Sequence, residues 1–175
     1  MWGRGRSTPV SEGVGKSPAT GHRRRRKSEQ PSPVFTGEYR HTIDDKGRLA
    51  IPARFRPELA PGATVSKWID GCAALFPKAD WDVLAAKTAA LPVTDTGSRT
   101  FQRFLFGAAF EVSLDRQGRF VLPSVLRDYA GLESEVMVVG ARDHLEFWSP
   151  DTWSSYSEQM DQPEVLAEHL EGLGI

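Results

Sequence analysis

Residues 39–43 are a strand-forming run, and residues 48–51 set Leu49 and Ile51 on one face with Arg48 on the other. Between them, Asp44-Asp45-Lys46-Gly47 reads as a tight turn. Gly47 supplies the positive φ such a turn wants, and the Asp44 carboxylate can accept the turn's backbone N–H groups. The predicted unit is a β-hairpin. Pro52 cannot donate to a ladder but suits a first helical turn, so 52–59 reads as a short helix ended near Pro61-Gly62. The pattern then predicts strands at 63–68 and 72–76, a helix over 78–90 with an apolar stripe of Trp81, Leu84, Ala85 and Leu91, and a helix over 95–107. Further on it predicts strands at 110–114 and 119–122, a short helix at 123–130, strands at 135–139 and 143–148, and a helix beginning near Pro150. The segment after 157 is polar, with one weakly amphipathic stretch around Val165, Leu166, His169 and Leu170.

The second series of elements repeats the first. Residues 43–56 return as 114–127, an offset of 71 residues, with the Asp, Gly, Arg, Pro and final Arg identical and five apolar positions conserved in character. The segment Leu75-Phe76-Pro77 to Trp81 is echoed by Phe147-Trp148-Ser149 to Trp153. Each half is a unit of roughly forty residues, too small to bury a stable core alone. Its obvious partner is the other half. The expected organisation is a disordered basic extension at 1–33, unit 1 at 38–80, connecting helices at 81–108, unit 2 at 109–152 and an acidic C-terminal tail at 153–175.

Charge alters the picture locally. The net charge of −1 conceals +6 over residues 1–33 and −6 over residues 151–175, leaving the middle near neutral. Any nucleic-acid site must therefore be a local patch. Residues 40–56 form one, with Arg40, Lys46, Arg48, Arg54 and Arg56 against Asp44 and Asp45; the second copy is less basic. The Arg23–Lys27 run suits either an arm on nucleic-acid phosphates or a solvated extension. One cysteine excludes an intrachain disulfide framework, and the four histidines have no metal-ligand spacing. No apolar run approaches a membrane span, and no Gly-rich phosphate loop or nucleophile, base and acid set occurs. The expectation is a cytoplasmic, non-enzymatic protein with no cofactor, no metal and no small-molecule substrate.

The stretch from Gly37-Glu38-Tyr39-Arg40-His41-Thr42-Ile43-Asp44 through Ile51-Pro52 resembles the amino-terminal signature of the MraZ family of bacterial transcriptional regulators. Phe101-Gln102-Arg103-Phe104, Gly107-Ala108-Ala109 and Asp115 through Pro123 resemble its second half, and Ala130-Gly131-Leu132 and Phe147-Trp148 extend the likeness. The resemblance implies an α+β fold, mainly β with short helices. In it two tandem AbrB-like swapped-hairpin units pair about a pseudo-twofold into a β-barrel-like body. It also implies a ring-shaped homo-oligomer that is nucleoid-associated. Such a ring represses the promoter of the division and cell-wall gene cluster by binding short direct repeats through Asp-x-x-x-Arg hairpins. Residues 1–33 precede the family's usual start, and Val34 stands where it begins with Met, so translation from Val34 is expected.

Carried over by position, Arg48 and Arg119 are the motif arginines, and Asp44 and Asp115 the motif acids. A guanidinium at a hairpin can fork onto a guanine edge or a phosphate, and the same residue can pair with its own Asp to stiffen the turn. Lys46 is open to a phosphate contact or to a solvated place in the turn, and Gly47 completes that turn. Arg40, Arg54 and Arg56 are open to phosphate contact or to packing. The large aromatics Trp68, Phe76, Trp81, Phe147, Trp148 and Trp153 are expected in the core or an interface. Two other functions remain open at this point. One is an antitoxin whose acidic tail caps a toxin, and the other an oligomeric scaffold that binds no DNA.

Overall fold

A computed structural model of the chain describes residues 34–171. The expectations for residues 1–33, including the basic run, lie outside them. The elements are β1 (Glu38–Thr42), β2 (Arg48–Ala50), a 3-10 turn (Ala53–Phe55) running into α1 (Arg56–Leu59), β3 (Ala63–Lys67) and β4 (Ala73–Pro77). After α2 (Lys78–Ala89) and α3 (Thr96–Phe106) come β5 (Phe110–Val112), β6 (Arg119–Val121), α4 (Ser124–Tyr129), β7 (Glu135–Gly140) and β8 (Leu145–Trp148). Helices α5 (Pro150–Met160) and α6 (Pro163–Glu171) close the described chain. Helices contribute more residues than strands, so the fold is mixed α+β rather than mainly β. The segment read as an acidic tail from residue 153 begins inside α5 and is helical over most of 153–171.

Six strands form one sheet in the order β1-β7-β8-β4-β3-β5, and β2 pairs with β6 in a separate ribbon. Exchanging β1 with β5, β2 with β6, β3 with β7 and β4 with β8 reads this order backwards onto itself. The pseudo-twofold expected from the repeat is therefore present in the topology. Its axis passes through the β2–β6 ribbon at the Leu49–Phe120 pair, two residues at matching places in the repeat. Among the described residues the sheet is not closed into the β-barrel expected: β1 and β5 sit at opposite ends of the six-stranded sheet, and β2 and β6 bond to each other.

The plain hairpin expected over 39–51 is also modified. Its turn closes through the Asp44 N–H to Arg48 O bond at 3.0 Å and an Ile43–Leu49 bridge, but the strands then part. β1 pairs with β7 and β2 with β6, each across the two halves. The reason is burial. Leu49, Ile51, Phe120 and Leu122 all face one core, which a hairpin of one unit alone could not cover.

Strand alternation divides the apolar residues between the two faces of the sheet. Val136, Val138, Leu75, Leu145 and Phe147 face the ribbon, together with Phe55 and Leu59 from the α1 region and Leu126 from α4. Met137, Val139 and Trp148 face the other way, against Trp153 and Tyr156 of α5. Trp81 of α2 meets Phe76 at 5.9 Å, and Trp153 of α5 meets Trp148 at 5.5 Å, so the two repeated tryptophans dock their helices alike. Ser149 starts α5 by accepting the Thr152 N–H, with Pro150 in the first turn. Trp153 Nε1 then donates to Glu38 Oε2 at 2.9 Å, tying α5 to β1. Among the described residues no helix is long and apolar enough to cross a membrane.

Candidate functional site

The two Asp-x-x-x-Arg turns have the same internal wiring. Asp44 Oδ1 accepts the N–H groups of Lys46 and Arg48 at 3.0 and 2.9 Å, while Oδ2 accepts Arg48 Nε at 2.7 Å. In the second turn Asp115 Oδ1 accepts the N–H groups of Gln117 and Arg119, both at 2.9 Å. Its Oδ2 accepts Arg119 Nε at 2.9 Å and Nη2 at 2.8 Å. Each acid thus organises its turn and orients its arginine. The Arg48 amide above all, with the Arg48 guanidinium and the Lys46 amide, holds Asp44 below its ordinary pKa against the opposing effect of desolvation. The Arg119 amide and guanidinium, with the Gln117 amide, bring Asp115 down to about 2. Both acids are anions near neutrality, so both pairs are charged.

Gly47 and Gly118 occupy the left-handed region at φ 73° and 77°. Their carbonyls cross to the opposite half, Gly118 O accepting from Ile51 N–H and Gly47 O from Leu122 N–H, both at 2.9 Å. The turns are therefore locked to each other as well as to themselves.

In the β2–β6 ribbon Leu49 and Phe120 point into the core, and Arg48, Ala50, Arg119 and Val121 share the opposite face. Arg48 stands opposite Val121, and Arg119 opposite Ala50. The two arginines are cross-strand diagonal neighbours, about 7–8 Å apart at the backbone. Their side chains remain 31% and 26% exposed. A repeat separated by 71 residues is thereby gathered into one surface. Lys46 lies exposed at the tip of the first turn, without an ion pair among the described residues.

The other candidates are placed differently. Arg54 donates to the carbonyl and hydroxyl of Thr36, with its guanidinium carbon 4.4 Å from the Phe55 ring centre and 5.2 Å from that of Tyr39. Arg56 is half-buried and lies across Gly118, its Nε donating to Ile51 O at 2.8 Å. Its repeat counterpart Arg127 lies against Gly47. Arg40 is exposed on β1, 3.8 Å from Glu135.

The reading of the residues passed over two features. Arg116 is an exposed cation at the tip of the second turn, and that copy's smaller positive balance already includes it. Its signal was its place in the repeat, two residues before Gly118 as Asp45 is before Gly47. The second is the crossing of Arg56 and Arg127, which the sequence showed only as an identical final arginine of the repeat and, for Arg56, a member of the basic patch. Among the described residues, no group of three or more His, Cys, Asp and Glu is placed to hold a metal. His144 is instead buried, bonded to Asp143 at 2.7 Å and Glu146 at 3.2 Å and stacked on Phe76.

Two swapped hairpin units fused in one chain, presenting paired arginine turns on a shared ribbon, define a duplicated hairpin-swap protein. A family profile described as "MraZ protein, putative antitoxin-like" matches the chain twice, over residues 34–104 and 105–171. A transcriptional regulator MraZ of Moorella thermoacetica is 49% identical over 138 residues, covering 78% of this chain and 96% of its own. That of Syntrophomonas wolfei is 43% identical over 143 residues, covering 81% and 100%. That of Roseiflexus castenholzii is 45% identical over 128 residues, covering 73% and 90%. The chain belongs to the MraZ family, whose members are transcriptional regulators and not enzymes.

Proposed function

We propose that this regulator binds DNA in a sequence-specific way through the exposed face of the β2–β6 ribbon and its two turns. The single observation that carries the reading is the pairing of Arg48 and Arg119 on one outward face, each pre-oriented by its own aspartate. A two-stranded ribbon fits the major groove, where a forked guanidinium reads guanine O6 and N7. Asp44, Asp115 and Gly47 act as positioning residues that fix the turns. Lys46 supplies a phosphate contact, as do Arg40 and Arg54 from β1 and the turn before α1. The internal ties of Arg54 to Thr36 and two rings give it a second, structural role.

One ribbon offers few contacts, so tight binding calls for several ribbons acting together. A ring-shaped homo-oligomer engaging short direct repeats meets that need by raising the effective concentration of each further contact. The target is the promoter of the division and cell-wall gene cluster, the outcome repression, and the setting the cytoplasm and its nucleoid. The toxin-capping alternative requires a free C-terminal segment; the docking of α5 through Trp153 weighs against it.

The test is fluorescence anisotropy of the full chain on its own upstream promoter DNA and on a scrambled duplex, across a salt series. The wild type is expected to prefer the promoter. Arg48→Ala and Arg119→Ala should each weaken promoter binding by about tenfold or more, the scale of one bidentate base contact. Equal weak binding to both duplexes, or variants that bind like the wild type, would refute the reading.

A further inference from the structure

The recognition face is nearly symmetric, and its departure from symmetry is chemically specific. The pseudo-twofold through Leu49 and Phe120 exchanges Arg48 with Arg119 and Ala50 with Val121. The arginines match, but the residues beside them do not. Arg48 has Val121 across the ribbon, and Arg119 has Ala50. Val121 is 57% exposed, while the alternate residues Phe120 and Leu122 are buried. A branched apolar side chain held outward between two charged groups contributes nothing to this core.

We propose that Val121 is a specificity-determining residue that contacts the C5 methyl of a thymine beside the guanine read by Arg48. The inference rests on the DNA-binding reading and adds a base class and a polarity to it. In the major groove, thymine is distinguished by its methyl group, and small apolar side chains are its usual partners. Ala50 at the dyad-related place lacks both γ methyls and so reaches less far toward the corresponding base beside Arg119. The turn tips break symmetry as well, with Asp45-Lys46 in one and Arg116-Gln117 in the other. A perfectly twofold ribbon would favour a palindrome; this one favours an oriented site. The asymmetry thus gives each ribbon a direction, which tandem repeats in one orientation require.

The experiment first selects duplexes from a randomised pool with the full-length wild-type chain. Each thymine of the selected site is then replaced in turn by deoxyuridine, which removes only the methyl. Wild type should lose about fourfold in affinity at one thymine, the factor that one buried methyl group supplies. Val121→Ala should bind the thymine and deoxyuridine duplexes equally at that position, with its oligomer unchanged in size-exclusion chromatography. Ala50→Val should gain sensitivity to the methyl at the dyad-related position. A selected site at which no deoxyuridine substitution matters overturns this inference alone, as does a Val121→Ala chain that keeps the sensitivity or loses its assembly. Recovery of no preferred duplex at all overturns the DNA-binding reading, and this inference with it.

Discussion

Replacing Gly118 by Ala should destabilise the chain by about 2–4 kcal/mol, and replacing Gly47 by Ala by about 1–2 kcal/mol, although the two glycines are equivalent in the repeat. Both sit at positive φ, where an added Cβ costs about 1–2 kcal/mol. Their neighbours differ. A Cβ on Gly47 would meet the Arg127 guanidinium at 3.4 Å, an ordinary contact. A Cβ on Gly118 would overlap the Nε, Cδ and Cζ atoms of Arg56. The Arg56 side chain must then leave, and with it goes the half-buried charged hydrogen bond to Ile51 O, about 1–2 kcal/mol. Urea unfolding at one fixed protein concentration, followed by tryptophan fluorescence, measures both variants. A double-mutant cycle isolates the cause: in an Arg56→Ala background, Gly118→Ala should cost no more than Gly47→Ala does in the wild type. Equal losses for the two single variants, or no coupling between positions 56 and 118, would refute the proposed clash.

Two further outcomes follow from the same geometry. Asp115, held near a pKa of about 2 in the fold against an ordinary 3.8, stabilises the native chain above its unfolded pKa. That contribution should fade as pH falls from about 4 toward 2, and Asp115→Asn should flatten the acid limb of a stability-versus-pH curve there. A curve that keeps the wild-type slope excludes the role. Trp153→Ala removes a buried indole and its bond to Glu38, so a loss of about 3–5 kcal/mol is expected, with faster amide hydrogen exchange in α5. Unchanged α5 exchange would show that another contact docks the helix.

The local elements were legible because local rules govern them. Gly47 and Gly118 mark turns that need positive φ, Pro77 and Pro150 mark helix starts, and Leu49 and Ile51 mark a strand's inner face. The internal repeat also carried the pseudo-twofold. Partner choice was not legible, because alternation assigns a side chain to a face without naming the strand beside it. Hence β1 read as the mate of β2, whereas the structure pairs it with β7. Arg56 shows the same limit for the site. Its charge counted toward a basic patch, while its crossing to Gly118 depends on a contact 62 residues away in the chain. The extent of helix after Trp153 was likewise masked by a polar, acidic composition that suits both a solvated tail and an amphipathic helix.

The exchange of strands between halves sets an order of events during synthesis. When the first unit leaves the ribosome, β1 and β2 have no partners, because β7 and β6 have yet to be made. The nascent half must wait with strand edges open, a slow and long-range closure of the kind that invites pairing with a neighbouring copy. Two chains emerging side by side from one message can lend each other the missing strands. The fusion of both halves in one polypeptide keeps the correct partner tethered within reach, and makes the stretch from β1 to β8 the smallest that holds every strand of the sheet.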